Sequence, residues 1–170
     1  MRARVQSFAP IIGKRPRILI LGSMPGIASL EAVQYYAHPR NAFWPIMAEL
    51  FEIDATTNYA GRIAQISQKP VVLWDTLKHC YRPGSLDSAI ARDSVEANDI
   101  PGLLQQHKQI RVVACNGATS ADFFRKLVLP ELSATSAIEL LKMPSTSPAN
   151  AGMSFAQKLA AWRCLLDYID

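Results

Sequence analysis

Four short apolar runs, separated by amphipathic stretches, set the pattern of this chain. Residues 17–21 (Arg-Ile-Leu-Ile-Leu), bounded by Pro16 and Gly22, read as a strand buried on both faces. Residues 71–74 follow Pro70 in the same style, and residues 110–115 are rich in β-branched side chains and stop at Asn116-Gly117. Residues 138–141, ahead of Pro144, form a fourth candidate strand whose composition suits a helix equally well. Between these runs the period changes. Phe43, Ile46, Met47, Leu50 and Phe51 make one helical apolar face, with Pro45 tolerated in its first turn. Tyr59, Ile63 and Ile66 predict another helix, and Asp99 caps one that turns Ile100, Leu103 and Leu104 inward. Ser154 and Gln157 fit a capping box ahead of Phe155, Leu159, Trp162, Leu166 and Ile169 on a C-terminal helix.

Strands alternating with helices, and buried on both faces, predict an α/β fold: three layers, α/β/α, around a central four-stranded parallel sheet. No repeat, low-complexity tract or linker interrupts it, so residues 1–170 are expected to form a single domain. Ligands of such sheets bind beyond the carboxyl ends of the strands. Those ends are residues 22–26, 75–82, 116–117 and 143–150, all polar or rich in Gly and Pro.

Hydrophobic residues make up 49% and charged residues 19% of the 170, which is the composition of a folded globule. The apolar runs are too short to span a membrane, and Arg2 and Arg4 are followed by no apolar leader, so a cytoplasmic protein without a membrane partner is expected. Cys80, Cys115 and Cys164 are widely spaced, as are His38, His79 and His107, which argues against a disulfide framework, a metal site or any cofactor. The net charge of +4 permits a nucleic-acid partner without requiring one, because no dense basic run is present.

Two segments carry candidate chemistry. Gly22-Ser-Met-Pro-Gly26 follows the first strand, where glycines let backbone amides approach a ligand's carbonyl or phosphate oxygens. It lacks the Gly-Lys-Ser/Thr of a Walker loop. Tyr35-Tyr-Ala-His-Pro-Arg-Asn-Ala-Phe-Trp44 packs aromatic, imidazole, guanidinium and amide groups together, more than core packing requires. Asn41 could be a plain helix cap, but a cap does not explain Tyr36, His38 and Arg40 beside it. Met143-Pro-Ser-Thr-Ser-Pro-Ala-Asn150 offers short hydroxyls and backbone amides suited to phosphates. In the connection after the second strand, Arg82 reads more simply as a solvated charge than as a ligand, and Asp87 as a turn closer.

Together these segments resemble the uracil-DNA glycosylase superfamily and, within it, the hypoxanthine-DNA (deoxyinosine) glycosylase family. Gly22-Ser-Met-Pro-Gly26 is similar to the superfamily's first motif and Met143-Pro-Ser-Thr-Ser-Pro148 to its second. Ala37-His-Pro-Arg-Asn-Ala-Phe-Trp44 resembles a block of the mismatch-specific thymine/uracil glycosylases, and the combination of Tyr35-Tyr-Ala-His-Pro-Arg-Asn41, Gly84-Ser-Leu-Asp87 and Pro144-Ser-Thr-Ser-Pro-Ala-Asn150 points to the hypoxanthine branch. The likeness runs from about Ile18 to Trp162. One departure matters: where the mismatch-specific relatives carry a water-positioning Asn in the first motif, this chain has Met24, which cannot hold a water.

The resemblance implies a monofunctional glycosylase that flips a deaminated base, hypoxanthine or uracil, out of damaged or mismatched DNA and hydrolyses its N-glycosidic bond with water. It implies Asn41 as the catalytic amide, with His38 assisting. It implies Tyr36 stacked on the base, with Gly22, Ser23, Met24, Pro25, Asp75 and Asn116 around the base's polar edge. DNA-binding roles go to Arg40, Arg82, Ser145, Thr146, Ser147, Pro148 and Asn150, and Ser147 and Pro148 fall in the loop that enters the helix as the base leaves. A monomer is expected. A lyase mechanism needs a desolvated lysine, and neither Lys78 nor Lys142 has an evident perturbing partner. A non-catalytic module sensing damaged or mismatched DNA, or a hydrolase or transferase acting on free nucleotides, are the alternative readings.

Overall fold

A computed structural model describes residues 4–134 and 136–170, so Arg2 lies outside the described residues. In chain order the elements are β1 (Arg4–Gln6), β2 (Ile11–Ile12), β3 (Ile18–Gly22), α1 (Ile27–Ala32), α2 (Phe43–Phe51), α3 (Tyr59–Ile66), β4 (Val71–Asp75), β5 (Leu77–Tyr81), β6 (Glu96–Ala97), α4 (Ile100–Gln106), β7 (Val112–Asn116), α5 (Ala118–Phe123), β8 (Glu139–Met143) and α6 (Phe155–Trp162).

The main sheet has the order β2-β4-β3-β7-β8. The pairs β4–β3, β3–β7 and β7–β8 are parallel, giving the four predicted strands. The sheet is nevertheless five-stranded, because Ile11 and Ile12 add an antiparallel edge against Leu73 and Val72. Two residues are too few for the sequence period to announce a strand. Residues 138–141, ambiguous in sequence, resolve as strand β8 because Glu139 to Met143 pair in register with Val112 to Asn116.

A second, three-stranded antiparallel sheet, β1-β5-β6, was not foreseen. It corrects the reading of residues 75–82 as a polar connection after the second strand: Leu77–Tyr81 form β5. Leu77 and Cys80 are fully buried while Lys78 and Tyr81 are exposed, a spacing that breaks the two-residue alternation of a regular strand, and the register against β6 shifts between Leu77 and His79.

Alternation along β3 divides the core into two layers. Ile18 and Ile20 point to a cluster with Phe43, Ile46, Met47, Val112 and Trp162, beneath α2 and α6. Leu19 and Leu21 point to the opposite cluster, with Ile100, Leu103, Leu104, Ala121 and Phe124 from α4, α5 and the π turn that extends α5. Helices on both faces of a parallel sheet make the expected three-layer α/β arrangement.

Caps fix the helix starts. Asp99 Oδ1 accepts from the Gly102 N–H at 3.0 Å, and Ser154 and Gln157 form the reciprocal box at 3.1 and 2.9 Å. The C-terminal helix is shorter than its apolar spacing predicts: it ends at Trp162 and tightens into a 3-10 turn over Arg163–Tyr168. Trp162 is core, while Phe155 and Ile169 are exposed. Among the described residues no helix is long and apolar enough to cross a membrane, and no group of three or more His, Cys, Asp or Glu is placed to hold a metal ion.

Candidate active site

The carboxyl ends of β3, β4, β7 and β8 open onto one cleft of about 750 Å³. Every predicted site residue lines it except Arg40, which is exposed on the adjoining surface, and Arg82, which is buried behind its wall.

Gly22 ends β3 at the floor. A Cβ there would collide with Asp75 Oδ1 and come within 3.1 Å of Tyr36 Oη, so only glycine lets the strand, the carboxyl and the phenol converge. Asp75 is 4% exposed, and its Oδ2 has no hydrogen-bond partner; neither does Tyr36 Oη. Buried polar atoms are almost always paired, with protein or with water, so these two atoms at the floor of one cleft are positions that a water or a ligand's polar edge can satisfy. Burial, then the charge of Asp87, pushes the Asp75 carboxyl up to about 7, with Arg82 opposing. Burial and the Asp75 charge likewise raise the Tyr36 hydroxyl well above its ordinary range. Tyr36 is held in the left-handed region at φ 54, a conformation disfavoured for an aromatic residue. One face of its ring is already stacked on Phe43, with centroids 3.9 Å apart.

Asn41 sits half-buried at the cleft wall. Its Oδ1 accepts the Phe43 N–H at 2.9 Å, closing a turn into α2, whose N-cap position belongs to Ala42. The carbonyl end is therefore engaged and the NH₂ end remains to donate. Ala42 N–H donates to the Thr146 carbonyl at 2.9 Å and so couples this wall to the second motif. His38 Nδ1 accepts the Arg40 N–H at 3.1 Å, which places the hydrogen of the neutral ring on Nε2, a donor for the cleft.

Several expected roles change. Arg82 is 1% exposed and donates to the carbonyls of Gly84 (2.8 Å), Pro25 (2.6 Å) and Met24 (3.5 Å). It shapes the first motif, where a solvated charge or a phosphate contact was expected. Met24 turns its side chain into a small core with Leu77, Cys80, Ile90 and Phe123, leaving its backbone at the cleft. Ser23 Oγ donates to Asp87 at 2.7 Å. Asn116 and Thr146 are locked together: Asn116 Nδ2 donates to Thr146 Oγ1 and Thr146 N–H donates back to Asn116 Oδ1, both at 2.9 Å. Thr146 is fully buried, so it braces the loop and meets no phosphate, and Asn116 is a strut more than an edge reader.

The amides expected to clamp phosphates are also engaged. Those of Ser147, Ala149 and Asn150 donate to Ser145 Oγ, Ser147 Oγ and the Ser147 carbonyl. The hydroxyls of Ser145 and Ser147 accept in these bonds and keep their own hydrogens to donate.

Two residues at this site escaped the sequence reading. Asp87 faces the cleft and bonds the first motif, although Gly84-Ser-Leu-Asp87 was visible as a segment. Lys158, 6% exposed, reaches under the serine loop to the Ser147 carbonyl at 3.3 Å. Nothing in its helical position distinguishes it from a solvated lysine.

The uracil DNA glycosylase superfamily model matches residues 10–166, and the chain belongs to that superfamily. A hypoxanthine DNA glycosylase from Methanosarcina barkeri is 34% identical over 119 residues, covering 69% of this chain and 74% of the relative. A second, from Methanosarcina acetivorans, is 29% identical over 150 residues, 88% of this chain and 90% of that one. Within the superfamily the chain therefore falls in the hypoxanthine DNA glycosylase family. The solution structure of a proposed uracil DNA glycosylase from Methanosarcina acetivorans superposes with a TM-score of 0.76 at 27% identity, over 96% of this chain and 99% of that one.

Proposed function

We propose that this protein is a monofunctional DNA glycosylase that removes deaminated bases, hypoxanthine first and uracil second, and leaves an abasic site. The observation that carries the reading is the pair of unpartnered buried atoms, Asp75 Oδ2 and Tyr36 Oη, at the floor of a cleft whose wall offers the Asn41 amide.

The target carbon is unreachable inside a base stack, so the nucleotide must be extruded, at a cost of a few kcal/mol that is least at a mispair. The ring enters beside Tyr36, with its polar edge toward Asp75 and the backbone of Ser23 and Met24. Asn41 holds a water through its NH₂ group, against the sugar. An amide is too weak a base to take the water's proton: the water oxygen bonds to the sugar carbon, the glycosidic electron pair leaves with the base, and the water's proton ends on that base anion, so the acceleration comes from placement and from stabilising the anion. Neutral Asp75, and then His38 through Nε2, donate to that anion. Arg40, Ser145, Ser147 and Asn150 meet the DNA backbone. Lys142, the lysine at the cleft, is exposed and so unsuited to Schiff-base chemistry. A single chain carries the whole cleft, so a monomer acting in the cytoplasm suffices.

The test incubates purified protein with duplexes carrying inosine, uracil or only normal bases, then treats with alkali. Alkali-dependent breaks at inosine are expected, and Asn41→Ala should abolish them while leaving DNA binding within about threefold. Full activity in Asn41→Ala removes the role of Asn41. Binding without breaks favours a damage-sensing module. Breaks before alkali indicate a lyase.

A further inference from the structure

Deamination changes the edge of a base at one atom that a protein can read. Adenine and cytosine carry a bare ring nitrogen, a lone pair, beside the amino group. Hypoxanthine and uracil carry an N–H there, beside a carbonyl. A pocket that takes the deaminated base and refuses its parent therefore needs an acceptor that cannot turn into a donor. A serine hydroxyl by itself does not qualify, because its hydrogen rotates to suit whatever faces it.

Ser23 is not left by itself. Its Oγ donates to Asp87 Oδ1 at 2.7 Å, so the hydrogen is committed and only lone pairs remain to offer. Ser23 is 8% exposed, and it lines the cleft together with Asp87. Both partners are held. The Thr76 N–H donates to the Gly22 carbonyl at 2.8 Å and the Leu77 N–H to the Ser23 carbonyl at 3.2 Å, which pins the serine backbone to the end of β4 and the start of β5. Asp87 begins a 3-10 turn whose closing bond runs from the Ile90 N–H to its own carbonyl at 3.1 Å. Arg82 ties this loop to the first motif through the carbonyls of Gly84, Pro25 and Met24.

The direction of the Ser23 bond follows from where the charge sits. Asp75 and Asp87 feel the same guanidinium. Burial raises both carboxyls, but Asp87 is opposed by its bond from Ser23, the Arg82 charge and a bond from Thr119, whereas Asp75 is opposed by Arg82 alone. The proton belongs on Asp75 and the charge on Asp87. A carboxylate accepts and has no hydrogen to return.

We propose that Asp87 is a specificity-determining positioning residue: by holding the Ser23 hydroxyl hydrogen it fixes Ser23 Oγ as an acceptor for the ring N–H of a deaminated base. An amino parent would bring a lone pair against that oxygen and is refused. The substrate class is then any base with a ring N–H beside a carbonyl, which unites hypoxanthine with uracil despite their different sizes. The assignment rests on the glycosylase reading for its reaction, and its test includes a readout that needs no bond cleavage.

The experiment compares wild type, Asp87→Asn and Ser23→Ala on duplexes carrying inosine, uracil or the deoxynucleoside of unsubstituted purine at one position. Purine is hypoxanthine without its oxygen, and its N1 is bare. In Asp87→Asn the new amide can donate to Ser23 Oγ, which frees the hydroxyl to turn its hydrogen into the cleft. In both variants kcat/KM should fall about tenfold or more on inosine and on uracil. On purine it should change less than about threefold in Ser23→Ala and hold or rise in Asp87→Asn. A residue that only supports the fold lowers all three alike. The second readout is thermal stabilisation by free hypoxanthine and by free purine: wild type should be stabilised more by hypoxanthine, and Asp87→Asn should lose that preference. Parallel losses on all three substrates, or an inosine-to-purine ratio unchanged in both variants, overturn the fixed acceptor. A wild type that cuts nothing but prefers hypoxanthine to purine, with the preference lost in Asp87→Asn, overturns the glycosylase reading and keeps the acceptor. A wild type with neither cleavage nor preference overturns both.

Discussion

On one wall of the cleft the chain draws ionisable groups inward: Arg82 buried among three carbonyls, Asp75 buried at the end of β4, and Asp87 half-buried and bonded to Ser23. On the other wall, residues 145–150 close through serine hydroxyls, backbone carbonyls and the Asn116–Thr146 lock, and rest on Lys158. Both walls come from loops after parallel strands, yet they respond to different variables. Buried ionisable groups respond to pH and are costly when a partner is removed. A loop closed on neutral hydrogen bonds depends little on pH, and each bond contributes about 1 kcal/mol. On the proposed function the carboxyl that donates to the leaving base lies on the first wall, and the second suits holding a sugar-phosphate chain in place.

The largest expected effect is at Asp75. Its carboxyl is raised to about 7 from an ordinary value of 3.8. Between those limits the unfolded chain gives up the proton that the folded chain keeps. Its contribution to stability is therefore fully present below about pH 4 and lost as pH rises through about 7. Asp75→Asn should match wild type near pH 4 and exceed it at pH 8 by an amount of the order of 3–4 kcal/mol, read from denaturant titrations at the two pH values. In catalysis the sign is also fixed. An ionised Asp75 repels a base leaving as an anion, so wild-type excision should fall above about pH 7, by up to about tenfold per unit, while Asp75→Asn shows a flat alkaline limb. A wild-type limb that is already flat would separate Asp75 from the leaving group.

Next in size is Arg82→Met, which keeps much of the volume but leaves three carbonyls without their donor. A loss of about 2–3 kcal/mol is expected, or a melting temperature lower by roughly 5–10 °C. Lysine should not restore it, because one ammonium cannot reproduce the guanidinium fork. An Arg82→Met protein that melts with wild type would show that the first motif stands without its charged strut.

How far this contrast could be read in advance differs between the walls. Asn41, Tyr36, His38 and Asp75 were legible because their residue types are chemically conspicuous at the ends of strands the hydrophobic pattern already located. The three layers were legible for the same reason: β3 is a run with no polar interruption. Edges and reversals were not. Ile11-Ile12 is too short to show a period, and Leu77–Tyr81 alternates only weakly, so the fifth strand and the second sheet emerge from pairing alone. Arg82 was misread because burial of a guanidinium depends on which carbonyls surround it, and these lie 57 and 58 residues away in sequence. Thr146 and Asn116, separated by 30 residues, hide their mutual lock in the same way.

The smallest effect belongs to the second wall and is the sharpest check on the contrast. Lys158 makes one bond, at 3.3 Å, to the Ser147 carbonyl, and its stem packs under a loop that is otherwise closed on itself. Lys158→Met keeps the stem, removes the ammonium and exposes no new cavity. The cost in stability should stay below about 1 kcal/mol, because a single long bond to a neutral carbonyl is lost. DNA binding should weaken by about threefold or less at low salt and converge with wild type as salt rises, since the cation sits buried beneath the serine loop. If Lys158→Met instead destabilises the protein as much as Arg82→Met, the serine loop depends on buried charge as heavily as the first motif. The two walls would then share one principle of construction, and the division between a wall for chemistry and a wall for grip would have to be given up.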